Sequence, residues 1–277
     1  MVFADDLNAY RKFPGNVPND KIVSNLRACQ AELHSWGKAN QVAFDPGMES
    51  LHIISKTETY GGNFKLLGVD FDPTLDMKEA IHEMEVSAGW KLRMVIRARC
   101  YYTTAELVGL YKSHILSFLE YRTAAIYHAK REFLWTVDRI QWRFLQDSGI
   151  SEGEALMTFN LAPLSARRDI AMLGIIHRSV LNKGPKHFKQ HFKAAPGYRR
   201  LCDPRESNKD PIIKRSILGS IAIYNLLPEG IRRRSSVKEF QANLQNLLKR
   251  RAADGNEDWQ CILSPRQCLK ACALRWL

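Results

Sequence analysis

The chain has 277 residues, of which 45% are hydrophobic and 25% are charged, as in an ordinary globular protein. No stretch approaches the ~18 consecutive apolar residues that a membrane span needs, and the start MVFADDLNAY lacks the basic-then-apolar layout of a secretory signal. We therefore expect no membrane partner and an intracellular location, which the sequence does not assign to nucleus or cytoplasm.

The net charge of +12 is unevenly distributed along the chain. The first 75 residues hold 7 Lys and Arg against 9 Asp and Glu, whereas the rest of the chain holds 34 against 20. A mildly acidic N-terminal region and a strongly basic remainder of the chain are consistent with a protein that binds polyanions through residues after 75. A basic surface kept for solubility is the alternative, and composition does not decide between the two.

The first 75 residues predict an α+β region. Residues 2–10 predict a tight β-hairpin with Asp5 and Asp6 at its tip, because Asp favours turns over strands. A helix follows, which we expect to end at Gly37. Its apolar stripe consists of Ile22, Leu26, Cys29, Leu33 and Trp36. Three short strand-like runs complete the region, at residues 41–45, 51–55 and 63–69.

From residue 76 onward the apolar residues recur at helical spacing. This pattern predicts an amphipathic helix after Asp76, a largely buried helix over 104–128, and further helices over 133–146 and 165–181. A last helix is expected to begin near Ser236, which with Glu239 would make a capping box. The predicted regions after the first are 76–150, 151–182, 183–215 and 216–277.

The region 183–215 differs from its neighbours in composition. It holds ten basic and three acidic residues, is interrupted by four prolines and has few apolar residues. Such a segment has little with which to build a core. We predict a basic linker here, between a helical segment that ends at 182 and a helical C-terminal region.

Three of the six cysteines, Cys261, Cys268 and Cys272, form a C-x6-C-x3-C pattern near the end of the chain. A structural zinc site normally needs four ligands, and no fourth ligand follows this pattern. Apolar neighbours instead favour a packed helix with small buried thiols, and a zinc site stays open as the alternative.

Asp5 and Asp6 are the residues that most directly suggest chemistry. Two adjacent carboxylates repel each other and cannot be buried without a cation. A divalent ion is one reason to keep them, because Mg²⁺ prefers one or two carboxylates together with waters and phosphate oxygens. An exposed polar turn is the other interpretation.

Several segments share an order with one known family. Phe3-Ala4-Asp5-Asp6 resembles the (Tyr/Phe)-x-Asp-Asp hairpin in the palm of reverse transcriptases. NQVAFD at 40–45 is similar to the fourth palm motif, FKLLGV at 64–69 to the primer grip, and 111–128 to the thumb of non-LTR retrotransposon enzymes. The segments 161–178 and 224–248 are similar to the region after that thumb. The chain thus resembles the C-terminal portion of a non-LTR retrotransposon reverse transcriptase.

This resemblance implies a partial palm (β-hairpin, helix and short strands) over the first 75 residues, followed by a mainly helical thumb and C-terminal region. It implies that Asp5 and Asp6 form the catalytic metal-binding pair for Mg²⁺, with Asp5 favoured as the direct ligand. Leu67 and Gly68 would form the primer grip. The thumb residues implied to contact phosphates are Lys91, Arg93, Arg97 and Arg99. A solvated helix face with intrahelical ion pairs is the alternative for these residues.

The resemblance also implies an RNA/DNA primer–template as partner, with deoxynucleotides as the small molecules bound by the full-length relative. Two differences from the family's motifs affect the expected catalytic site. The family's site uses a third aspartate from a motif that precedes this hairpin, and the hairpin here begins at residue 2. The fourth motif usually carries a lysine that protonates the departing pyrophosphate, and Met48 occupies that position. Met cannot donate a proton.

We therefore expect a polymerase fragment that is catalytically incomplete as an isolated chain. Two alternatives remain at the level of sequence. One is a non-catalytic nucleic-acid-binding module that uses the thumb and the basic region. The other is a decayed remnant of a mobile element.

Overall fold

A computed structural model describes residues 2–3, 6–205, 210–267 and 272–276, and divides into two units after Asp76. The fold is α+β and mostly helical, with strands in three two-stranded antiparallel sheets. The division between the units falls where the sequence changes from strand-like to helical spacing.

The first unit contains two hairpins and one long helix. Its elements are β1 (Val2–Phe3), β2 (Asp6–Leu7), α1 (Asn19–Ala39), β3 (Phe64–Leu66) and β4 (Val69–Phe71). Phe3 pairs with Asp6, and Val2 pairs with Leu7. The predicted N-terminal hairpin is confirmed for these four residues. Asp5 lies outside the described residues, and so does the side chain of Asp6.

Gly37 was predicted to end α1, and this prediction is wrong because the helix continues to Ala39. A Cβ atom on Gly37 would lie 2.6 Å from the Phe44 ring and 2.7 Å from the Val42 carbonyl oxygen. Glycine is required at position 37 because Phe44 and Val42 leave no room for a Cβ atom, and not because the helix ends there. Residues 41–45, predicted as a strand, are instead an irregular segment that folds back over the end of α1.

The core of the first unit is small. Ile22, Ile53 and Val69 are its buried hydrophobic residues among those that the structure describes. Trp36, at the end of the predicted apolar stripe of α1, is 55% exposed. Residues 51–55 contribute a single bridge between Ile53 and Tyr60 and do not form the predicted strand.

Where the structure describes it, the second unit has helices and one hairpin as its regular elements. Its first helices are α2 (Lys78–Arg97), α3 (Thr104–Tyr111), α4 (Ser117–Tyr121), α5 (Thr123–Ile126), α6 (Arg131–Asp147), α7 (Glu152–Met157) and α8 (Leu164–Val180). After them come β5 (Ala194–Ala195), β6 (Arg200–Leu201), α9 (Pro211–Arg215), α10 (Ser220–Leu226), α11 (Glu229–Arg232) and α12 (Val237–Ala253).

The helices predicted over 133–146 and 165–181 are confirmed as α6 and α8. The predicted buried helix over 104–128 is confirmed as far as Tyr121. It begins with a capping box between Thr103 and Glu106. It also contains one π-helical turn at Lys112–Leu116, which joins α3 to α4.

Helices α8, α10 and α12 build the main core of the second unit. At its centre the His177 ring stacks on Phe240, with 4.1 Å between ring centroids and an interplanar angle of 6°. The two ring nitrogens of His177 lie 3.0 Å from the Tyr224 hydroxyl and 2.9 Å from the Arg234 carbonyl oxygen. His177 is fully buried and is therefore a core residue, and this burial lowers its pKa.

The region 183–215, predicted as a linker, carries regular structure where it is described. The β5–β6 hairpin lies in it, and Leu201 of β6 is buried in the core that α8, α10 and α12 form. The Asn225 side chain of α10 accepts from the Leu201 backbone N–H at 3.0 Å and donates to the Leu201 carbonyl at 2.7 Å. The hairpin is therefore held as an additional strand pair on the helical core.

Two further predictions need correction. Ser236 precedes α12 as expected, but its side chain makes no capping hydrogen bond. The described part of the cysteine-containing C terminus forms turns and a short 3₁₀ segment in place of the predicted helix. Cys272 is buried there as predicted, whereas Cys261 is exposed and Cys268 lies outside the described residues.

Candidate nucleic-acid interface

Helix α2 has one apolar face and one mixed basic and aromatic face. The apolar face packs against α3, α4 and α6, and its buried residues are Ala80, Ile81, Met84, Ala88, Leu92 and Val95. On the opposite side, Val86, Trp90, Arg93 and Arg97 follow one another at three- or four-residue intervals and are exposed. We call these four residues the α2 face.

The α2 face presents positive charge beside an aromatic ring. The Arg93 guanidinium carbon lies 4.1 Å from the centroid of the Trp90 ring, a cation–π contact. The indole itself remains 58% exposed. In the described part of the chain, neither Arg93 nor Arg97 forms a salt bridge, so their charges are not neutralised. Arg97 also lies in the last turn of α2, where the helix dipole favours a cation.

The structure separates the four basic residues predicted to contact phosphates. Arg93 and Arg97 share the α2 face. Lys91 points elsewhere around the helix, and its Nζ lies 5.3 Å from the centroid of the Phe118 ring. Arg122 approaches the same ring at 4.9 Å. Arg99 is exposed in the 3₁₀ turn that follows α2.

Trp90 was not predicted as a member of this surface, because the prediction was based on basic residues alone. It therefore grouped Lys91 with Arg93, although two residues rotate a helix by about 200°. The spacing from Val86 to Arg97, opposite the apolar stripe, is the signal that identifies the face.

In the first unit, Leu67 and Gly68 form the two-residue connection between β3 and β4. Both have positive φ angles, +49° and +75°, as a type I′ hairpin turn requires. Residues 63–69, predicted as one strand-like run, are instead interrupted by this turn, and the primer-grip role of Leu67 and Gly68 stays a prediction. Met48 is 84% exposed. Its thioether carries no acidic proton.

Asp5 and Asp6 supply the donor type that Mg²⁺ prefers, namely hard carboxylate oxygens. Within the described residues, no group of three or more His, Cys, Asp or Glu side chains is arranged to share a metal ion. Asp5 and the side chain of Asp6 lie outside those residues.

Comparisons with protein-family models, curated proteins and solved structures found no match to this chain. Across the described ranges, no helix combines the length and the apolar character needed to cross a membrane.

Proposed function

We propose that this chain is the C-terminal portion of an RNA-directed DNA polymerase of a non-LTR retrotransposon, and that its α2 face lies against the primer–template. The observation that carries the proposal is the exposed row of Trp90, Arg93 and Arg97 on a helix whose opposite side is fully packed. Guanidinium groups beside an aromatic ring suit phosphates and sugars, which such contacts position without reading sequence.

The first unit would then contribute palm residues. Asp5 and Asp6 would hold Mg²⁺, which when bound stabilises charge on the transferring phosphoryl oxygens. The Leu67-Gly68 turn would support the primer end. Met48 would occupy the position of the lysine that protonates the departing pyrophosphate in the family, and Met has no proton to donate. We propose on this ground that the chain alone is catalytically incomplete.

The test of the α2 face measures the affinity of the chain for duplex DNA as a function of salt concentration. In the Arg93→Ala/Arg97→Ala variant, the slope of log affinity against log salt on duplex DNA should become shallower by about 1.8, because each phosphate contact contributes about 0.9. The matched control is Arg139→Ala/Arg143→Ala. These α6 arginines already pair with Glu85 and Asp147, so removing them should change the slope little. Equal slopes for the two variants would refute the assignment of α2.

The test of catalysis is incorporation of deoxynucleotides on a primed RNA template by the purified 277-residue chain with Mg²⁺. We expect none. Incorporation would overturn the proposed incompleteness and make the Met48→Lys variant the next one to assay. Duplex binding without incorporation also fits a non-catalytic binding module, which the same α2 face would serve.

A further inference from the structure

A second basic surface lies far from α2 in sequence, where the β5–β6 hairpin meets the end of α11 and the residues that follow it. It consists of Tyr198 and five arginines, and we call it the Tyr198 cluster. Its arginines are Arg199, Arg200, Arg232, Arg233 and Arg234. The two segments are more than thirty residues apart in the chain, and the fold brings them together.

Two of these arginines hold the surface together. The Arg199 Nη1 donates to the carbonyl oxygens of Arg232 and Arg234, at 2.6 and 2.8 Å. Arg232 is buried and donates to the carbonyl oxygens of Leu227, at 3.0 Å, and of Tyr198. All these acceptors are uncharged backbone groups. The contacts fix the guanidinium groups in place without neutralising them.

The Tyr198 ring adds two cation–π contacts to these hydrogen bonds. The guanidinium carbons of Arg199 and Arg233 lie 5.3 and 5.5 Å from the centroid of the Tyr198 ring. The ring is nevertheless 45% exposed. The described carboxylate that pairs within the cluster is Glu229, which accepts from Arg233 at 2.6 Å. Five positive charges thus face one negative charge.

Burial shifts the pKa values of two groups here, and the charges of neighbouring arginines contribute to a smaller extent. Burial lowers the pKa of Arg232, and repulsion from Arg200 lowers it further. Burial raises the pKa of Tyr224 to about 12, against the opposing influence of Arg199 and Arg232. Arg200 and Arg234 are exposed, and within the described residues their side chains form no hydrogen bond or salt bridge. These two guanidinium groups are available to a ligand.

We propose that the Tyr198 cluster is a second nucleic-acid site, which takes the phosphate backbone of a single strand. Arginine presents a rigid fork of donors that matches phosphate oxygens. Contacts of Arg199, Arg232 and Arg233 order the two backbone segments that carry Arg200 and Arg234. Because these segments are fixed before a polyanion binds, binding costs less backbone entropy here than on a flexible loop. A half-exposed aromatic ring beside phosphate-binding groups is the arrangement on which unpaired bases stack. This inference goes beyond the proposed function of α2 and uses none of its residues.

The experiment measures binding of the full chain to a labelled oligouridylate by fluorescence anisotropy over a range of salt. The test variant is Arg200→Ala/Arg234→Ala, which leaves Arg199 and Arg232 in place. We expect affinity to fall roughly tenfold and the salt slope to become shallower by about 1.4, at about 0.7 for each contact to a single strand. The control Arg131→Ala/Arg250→Ala removes two exposed arginines outside the cluster. It should change the slope little.

The Tyr198→Ala variant tests the stacking part. It should weaken oligouridylate binding by at least about fivefold with the salt slope unchanged. Equal losses in the test and control variants would overturn the site, and undiminished binding by Tyr198→Ala would overturn the single-strand assignment. Equally tight binding of polyglutamate would overturn the choice of nucleic acid.

Failure of this proposal is distinguishable from failure of the proposed function. If Arg93→Ala/Arg97→Ala binds duplex normally while Arg200→Ala/Arg234→Ala loses the single strand, the α2 assignment fails and the Tyr198 cluster stands. The reverse pattern rejects the cluster alone.

Discussion

Asp169 should make the stability of the helical unit depend on pH. Its carboxylate is only 3% exposed and accepts a hydrogen bond from the Tyr127 hydroxyl at 2.6 Å. That hydroxyl also lies 3.0 Å from the Ser220 hydroxyl. Burial raises the pKa of Asp169 to about 7, although the hydrogen bond from Tyr127 and the charges of Arg266 and Arg168 act in the opposite direction.

The sign and size of the effect follow from the pKa difference between the folded and unfolded states. An unfolded Asp titrates near pH 3.9, so between about pH 4 and pH 7 the folded state binds more protons than the unfolded state. The protonated side chain therefore contributes stability below about pH 4, and this contribution is lost as pH rises through about 7. The difference corresponds to about 4 kcal/mol.

The Asp169→Asn variant isolates this contribution, because Asn is uncharged at every pH. Urea denaturation at pH 4.5 and pH 8 would give the free energy of unfolding of both proteins. The free energy of the variant minus that of the wild type should increase with pH by a few kcal/mol. A difference that is independent of pH, or that decreases, would refute the burial argument for Asp169.

Two further predictions concern the fold. Gly219→Ala should lower the free energy of unfolding by about 1–3 kcal/mol in urea denaturation, because a Cβ atom there would overlap the Lys214 carbonyl group, whose carbon would be 2.6 Å away. The control is Gly230→Ala, whose Cβ atom would meet open space. Equal losses of stability in the two variants would contradict this steric reason. Thr103→Ala should lose about 1 kcal/mol because it removes the capping box with Glu106, whereas Thr103→Ser should retain most of that stability. Indistinguishable melting curves for the two Thr103 variants would count against the capping contribution.

The sequence alone determined the parts of this protein that depend on local order. The apolar periods predicted α2, α6 and α8 because each helix buries one continuous stripe. The uneven distribution of charge along the chain is likewise fixed by the sequence, although it leaves a polyanion partner and a basic surface kept for solubility as alternatives.

Tertiary structure decided what depends on residues distant in the chain. Composition favoured a linker over 183–215, yet Leu201 enters a core made by helices before and after it. Asp169 lies 42 residues from the Tyr127 hydroxyl that it contacts, and no local pattern marks either as buried. The Tyr198 cluster likewise exists only once β6 has docked on α10. Such pairings depend on which surfaces exclude water together, and sequence periodicity carries no information about that choice.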